Sequence, residues 1–163
     1  MKRLNFILLN GAMGSGKSTV ADLLKKKLKR TAIIEIEDIR QLVPDKEDNS
    51  LAWLIIYRMC DEYLKNGVSV LLKQSVASKE IVNKFLKLAK KYKCVVSFYH
   101  FQAPTTELIN RITKREKSRI VSKNLINSNI KKHEEINYPD ATTVNTTRMN
   151  PTQVANLIFN NLK

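Results

Sequence analysis

Residues 11–18 read GAMGSGKS, a gapless fit to the pattern G-x-x-x-x-G-K-[S/T]. Each residue type in that run has a physical reason to meet a phosphate. Gly11, Gly14 and Gly16 let the backbone curl until its amides converge on an anion. A helix starting at this point adds its positive end. Lys17 places a cation on the β- and γ-phosphates, and Ser18 offers a hydroxyl to Mg²⁺. Ala12, Met13, Gly14, Ser15, Gly16, Lys17, Ser18 and Thr19 are therefore the expected nucleotide-binding run, with ATP and Mg²⁺ as its ligands. Three of the chain's four glycines fall inside it. Glycine is concentrated here rather than scattered by composition.

A second cluster follows at residues 35–40, EIEDIR. Phosphoryl transfer to a hydroxyl needs a carboxylate that accepts the proton and holds the acceptor, and Glu37 and Asp38 are candidates. Arg40 can grip an anionic acceptor with two parallel hydrogen bonds. The plain alternative is a helix start, where acids complement the dipole without doing chemistry. A third cluster is basic. In residues 107–119, ELINRITKREKSR, Arg111 and Arg115 share a helix face and Arg119 lies just beyond. Such arginines stabilise charge that builds on a transferring phosphoryl group; the alternative is a solvated basic helix. Gln74 and Ser75 can hydrogen-bond an acceptor hydroxyl. Arg58, the single arginine between residues 42 and 65, is a further acceptor-binding candidate. His100, His133, Cys60 and Cys94 show no metal-ligand spacing and read as structural or surface groups.

These groups need a scaffold, and the apolar pattern supplies one. Strands are expected at 4–9, 32–36, 68–72, 94–101 and 141–145. Helices are expected at 17–30, 51–64, 78–91, 104–115, 122–135 and 151–159, with Ser78 as an N-cap and Pro104 and Pro151 in first turns. Trp53, Ile56, Tyr57 and Cys60 recur at helical spacing and read as core or pocket wall. Alternation of apolar strands with helices predicts an α/β fold, a parallel sheet covered on both faces, with ligands at the edge where the strands end.

Composition bounds the rest. At 163 residues with 43% apolar content, the chain is one domain with a real core. No apolar run is long enough to span a membrane. The basic start followed by a short apolar run suggests a signal peptide, but the motif behind it needs that run as a strand. Two cysteines predict a reducing, cytoplasmic setting. Net charge is +14, which favours anionic partners, nucleic acid included. Plentiful lysine, asparagine and isoleucine also allow a merely solvated basic surface.

Residues 4–29 resemble the start of the P-loop kinases, the group that includes nucleoside monophosphate, shikimate and gluconate kinases and polynucleotide 5′-kinases. The resemblance extends more weakly to the C-terminus. It implies a three-layer P-loop NTPase fold with a five-stranded parallel sheet in the order 2-3-1-4-5, formed by one domain spanning residues 1–163. An acceptor-binding region would occupy about 38–66 and a lid about 111–131. Residue by residue, Glu37 falls on the first acid of the polynucleotide kinase-like acidic motif, the proposed base, with Asp38 on the second acid and Arg40 on its arginine. Glu37 stands where that motif usually has aspartate. Arg111 falls on an adenine-stacking arginine and Arg115 on a phosphate-binding lid arginine, for which Arg119 could substitute. Thr146, Thr147 and Arg148 fall near the base.

One departure stands out. Where many P-loop enzymes end the third strand in an aspartate that holds Mg²⁺ through water, this chain has Lys73, Gln74 and Ser75, with no carboxylate before Glu80. Mg²⁺ would then rest on Ser18, the phosphates and Glu35 or Glu37. Lys73 would face away or bind an acceptor phosphate. The expected function is ATP-dependent transfer of a γ-phosphoryl group to a hydroxyl of a small molecule or nucleic-acid end. The rivals are an ATP-binding regulatory module with decayed chemistry and a nucleic-acid-binding protein. The near-absence of interleaved aromatics disfavours the last.

Overall fold

Strands that are apolar on both faces must be covered on both, and the helices of this chain do so. The computed structural model describes residues 3–44, 49–115 and 122–162. Its strands are β1 (Asn5–Gly11), β2 (Thr31–Glu35), β3 (Ser69–Lys73), β4 (Val95–Gln102) and β5 (Thr142–Asn145). All pairings are parallel, in the order β2-β3-β1-β4-β5 that the resemblance implies. The helices are α1 (Lys17–Lys25), α2 (Ile36–Arg40), α3 (Ser50–Lys65), α4 (Lys79–Lys91), α5 (Thr105–Arg115), α6 (Lys123–Glu135) and α7 (Pro151–Asn160).

Alternating side chains divide the core between the two faces of the sheet. On one, Phe6, Leu8, Val70 and Leu72 pack against Ile56 and Cys60 of α3 and Phe85 and Leu88 of α4. On the other, Ile7, Leu9 and Leu71 meet Val20 and Leu24 of α1 and Val154 and Ile158 of α7. A third cluster lies at the ligand edge. There Leu108 and Ile112 of α5 and Ile126 and Ile130 of α6 close over Ala12, which seats both helices against the glycine-rich loop. Burial pushes the Cys60 thiol up to about 12, so it serves as an inert apolar filler.

Local signals set the helix ends. The Ser78 hydroxyl accepts from the Ile81 amide at 3.3 Å, as expected of an N-cap. At α7, Pro151 opens the helix behind a capping box in which the Asn150 and Gln153 side chains each accept from the other's amide at 2.9 Å. Two expectations differ from what is found. The first helix stops at Lys25 rather than residue 30. Leu28 turns back onto the core, and Arg30 takes a left-handed φ of 49° while its guanidinium donates to the Gly67 and Asn66 carbonyls. The second strand ends at Glu35, and a short helix takes over with Glu37 and Asp38 in its first turn. No helix among the described residues is long and apolar enough to cross a membrane.

Phe85 ties the larger core together. It is 3% exposed and its ring lies 6.5 Å from Phe6, 6.0 Å from Trp53 and 6.1 Å from Tyr57. Phe85→Ala should lower stability by about 3–5 kcal/mol. Urea unfolding followed by the fluorescence of Trp53, the chain's one tryptophan, measures it; a loss below about 1 kcal/mol would contradict this packing.

Candidate nucleotide and acceptor site

The glycine-rich loop leaves β1 and turns into α1 through backbone that only glycine tolerates. Gly14 has φ of +78°, and a Cβ there would lie 2.7 Å from the Leu108 carbonyl oxygen of α5. Gly16 caps α1 in the left-handed region with no side chain on the first amides. The N-terminal end of the helix is thus open to an anion.

Lys17 folds back into this loop. Its ammonium donates to the carbonyls of Gly11 at 2.7 Å and Ala12 at 2.8 Å and to Ser15 Oγ at 3.2 Å. Burial brings its pKa down to about 7, Glu35 opposes the fall, and the charges of Lys73 and Arg115 add to it. An ammonium held by neutral oxygens in a buried, cationic setting is primed for a polyphosphate.

The expected nucleoside side assembles. Gly14, Gly16, Thr19, Arg111, Arg115 and Arg148 line one cleft of about 550 Å³, a size suited to a small ligand. Arg115 donates to Thr19 Oγ1 at 3.1 Å, so α5 reaches across to the first turn of α1. Arg111 is set by three bonds: to Glu107 at 2.7 Å, to the Thr146 hydroxyl at 2.9 Å and to the Thr146 carbonyl at 3.0 Å. Arg119 lies outside the described residues, as do 116–121 of the lid and 45–48 of the acceptor region.

The acceptor side assembles in part. Glu37 and Arg40 pair at 3.4 Å within α2, both partly exposed, at the exit of β2 on the same sheet edge as the loop. Asp38 is exposed. Gln74 is 2% exposed, and among the described residues neither its amide oxygen nor its amide nitrogen has a partner. Arg58 is not drawn in: it is exposed on α3, near Asp61, which binds Lys91 and Tyr92 at the end of α4. Since α4 leads there into the start of β4, that contact lies toward the sheet edge opposite the loop.

Two groups of residues were not legible from spacing. The first is Lys73, which neither faces away nor stands free. It is 8% exposed and forms an ion pair with Glu35 across β3 and β2, where the two residues are in register. The second is a hydrogen-bonded chain from α6. Asn129 accepts from the Met13 amide at 2.9 Å and donates to Ser75 Oγ at 3.0 Å. Ser75 Oγ in turn lies 3.2 Å from His133 Nε2. Burial, the Lys17 charge and His100 push the His133 imidazole down to about 3, so it is neutral at pH 7. Both histidines, expected to be structural or surface groups, are buried.

Ser18 would offer Mg²⁺ one hydroxyl. The carboxylate on that face, Glu35, is already engaged by the Lys73 ammonium. This donor set does not fit a tightly ordered Mg²⁺.

The Lys17 environment has a measurable consequence. A polyphosphate beside the ammonium favours its charged form and raises its pKa from about 7. At pH 8 the free site is largely neutral and the occupied site charged, so ATP binding should take up close to one proton. Affinity should therefore fall as pH rises above 7. Calorimetric titration at pH 8 in two buffers of different ionisation enthalpy measures the uptake; equal apparent enthalpies would contradict it.

Comparison with known proteins agrees with this fold. The family described as AAA domain matches residues 6–135. No curated protein sequence matches the chain. Among solved structures, a sugar kinase from Janibacter sp. HTCC2649 superposes with a TM-score of 0.70 at 20% identity, over 98% of this chain and 95% of that one. A gluconokinase from Sinorhizobium meliloti 1021 gives 0.73 at 14%, over 99% and 93%. Chaetomium thermophilum Kti12, in complex with ADP-AlF3, gives 0.71 at 13%, over 97% and 99%. With this sheet order, this loop and this match, the chain belongs to the AAA domain family and is a P-loop kinase-like protein.

Proposed function

We propose that residues 1–163 form a single kinase domain that moves the γ-phosphoryl group of ATP to a hydroxyl of a small molecule or a nucleic-acid end. The observation that carries this reading is the Glu37–Arg40 pair standing at the exit of β2 on the sheet edge that holds the loop. A partly exposed carboxylate beside an arginine at that point suits an acceptor hydroxyl and an anionic group next to it.

In this reading the loop amides from Ala12 to Gly16, with Lys17, Ser18 and Thr19, hold the phosphates. Arg111, Arg148 and Thr146 border the nucleoside. Glu37 accepts the proton of the acceptor hydroxyl as its oxygen attacks the γ-phosphorus; the bond from that phosphorus to the bridging oxygen breaks and ADP leaves. Asp38, Arg40 and Gln74 hold the acceptor, the last with an amide that has no partner among the described residues. Arg115, with Arg119, neutralises charge on the transferring group. Because the donors present do not fit a tightly held Mg²⁺, this reading places charge neutralisation on Lys17 and the lid arginines and gives Ser18 the one hydroxyl open to the ion. The acceptor region is 38–66 and the lid 111–131. The surface charge of +14 suits an anionic acceptor.

A second reading, an ATP-binding regulatory module, is favoured by one observation: the lysine at the end of β3. ADP release from ATP, screened against pooled nucleosides, nucleotides, sugars, hydroxy acids and 5′-hydroxyl oligonucleotides, separates the two. The kinase reading predicts that one pool stimulates release. Glu37→Gln should then lower turnover by about 10²–10⁴-fold while ATP binding persists. Silence in every pool, with ATP bound, would overturn the kinase reading in favour of the regulatory one.

A further inference from the structure

The face on which Lys73 emerges follows from strand alternation. Leu71 packs with Val20, Ala21 and Leu24 of α1, and Ile33 packs against the same cluster. Lys73 and Glu35 are each two residues further along, on the same face and nearer the loop. β3 pairs with β2 on one side and β1 on the other, with Lys73 opposite Glu35 and Leu9. The ion pair therefore sits beside the strand that feeds the loop, toward the start of α1, where Lys17 and Ser18 stand. It is also partly buried, with the Lys73 side chain 10% exposed and that of Glu35 30%.

That is the quarter of the site in which a carboxylate would have to lie to order a metal ion on Ser18. Here it holds an ammonium instead. With Lys17 charged by a bound phosphate, Lys17, Lys73 and Arg115 oppose Glu35, a net of two positive charges and the charge of one divalent cation. An ordered ammonium on a strand end needs no reorganisation to meet an incoming phosphate, and in a partly buried site its field is screened little.

We propose that Lys73, positioned by Glu35, is a resident cation for the nucleotide's phosphates and takes over charge neutralisation that a divalent ion would otherwise supply. This rests on the reading of the loop as a nucleoside triphosphate site. Its consequence is that the chain binds ATP with little dependence on Mg²⁺. Glu35 is here a positioning residue for Lys73 rather than a holder of metal-bound water.

The test is ATP binding by calorimetry, once with Mg²⁺ and once with a chelator, on the full chain and on two variants. The wild-type protein should lose less than about tenfold in affinity on chelation. Lys73→Met should lose at least about tenfold in metal-free affinity and change less than about threefold with Mg²⁺ present. Glu35→Gln, which keeps a side-chain oxygen to accept from the Lys73 ammonium and removes only the opposing charge, should keep or tighten metal-free binding. Tight wild-type binding that falls by more than about tenfold on chelation would overturn the role of Lys73 and leave the triphosphate site standing. So would a Glu35→Gln variant weakened only when Mg²⁺ is present, because Glu35 would then be ordering the ion. No ATP binding in either condition would overturn the triphosphate site itself, and the Lys73 role with it. The wild-type comparison requires no substitution, so a variant that folds poorly does not blur the result.

Discussion

A buried ammonium held by backbone carbonyls governs this site. Lys17 is 8% exposed, and its hydrogen-bond partners in the loop are the neutral oxygens of Gly11, Ala12 and Ser15. Keeping a cation there is unfavourable unless it is well hydrogen-bonded, and even so burial depresses its charged form. The loop must therefore be held rigidly by everything around it. β1 lies at the centre of the sheet between β3 and β4. The α1 face packs on α7, and α5 approaches so closely that Gly14 has no room for a Cβ. The same arrangement makes an anion the natural ligand.

The lid side is attached to the loop by contacts that differ in kind. Apolar packing from Leu108, Ile112, Ile126 and Ile130 seats α5 and α6. Two polar contacts then fix the register: Arg115 on Thr19, and Asn129 between the Met13 amide and Ser75. The second contact joins the loop to the end of β3. The neutral His133 extends that chain into the buried interior.

Much of this was legible in the sequence, because it is written in short spacings. The loop, its strand and its helix occupy adjacent residues, and glycine, lysine and serine each have one stereochemical reason to stand where they do. The N-cap at Ser78 and the first-turn Pro151 are equally local. The end of α1 was not legible: a lysine-rich continuation looks helical, and only the turn of Leu28 onto the core and the Arg30 clamp on Asn66 and Gly67 stop it. Nor was the partner of Lys73. Glu35 and Lys73 are distant in sequence, and their pairing depends on strand register as well as strand order. Asn129 lies 116 positions from Met13, and nothing in its neighbours marks it. Long-range polar contacts carry no periodicity, so they become visible only once the sheet is assembled.

The central claim is that the loop from Gly11 to Thr19 is a triphosphate site whose affinity depends on the Lys17 ammonium. Calorimetric titration of ATP into the wild-type chain and into Lys17→Ala tests it most directly. The account predicts saturable one-to-one binding by the wild type and a loss of at least about 100-fold in the variant, in line with removing a partly buried, charge-assisted contact. Equal affinities in the two proteins would contradict it.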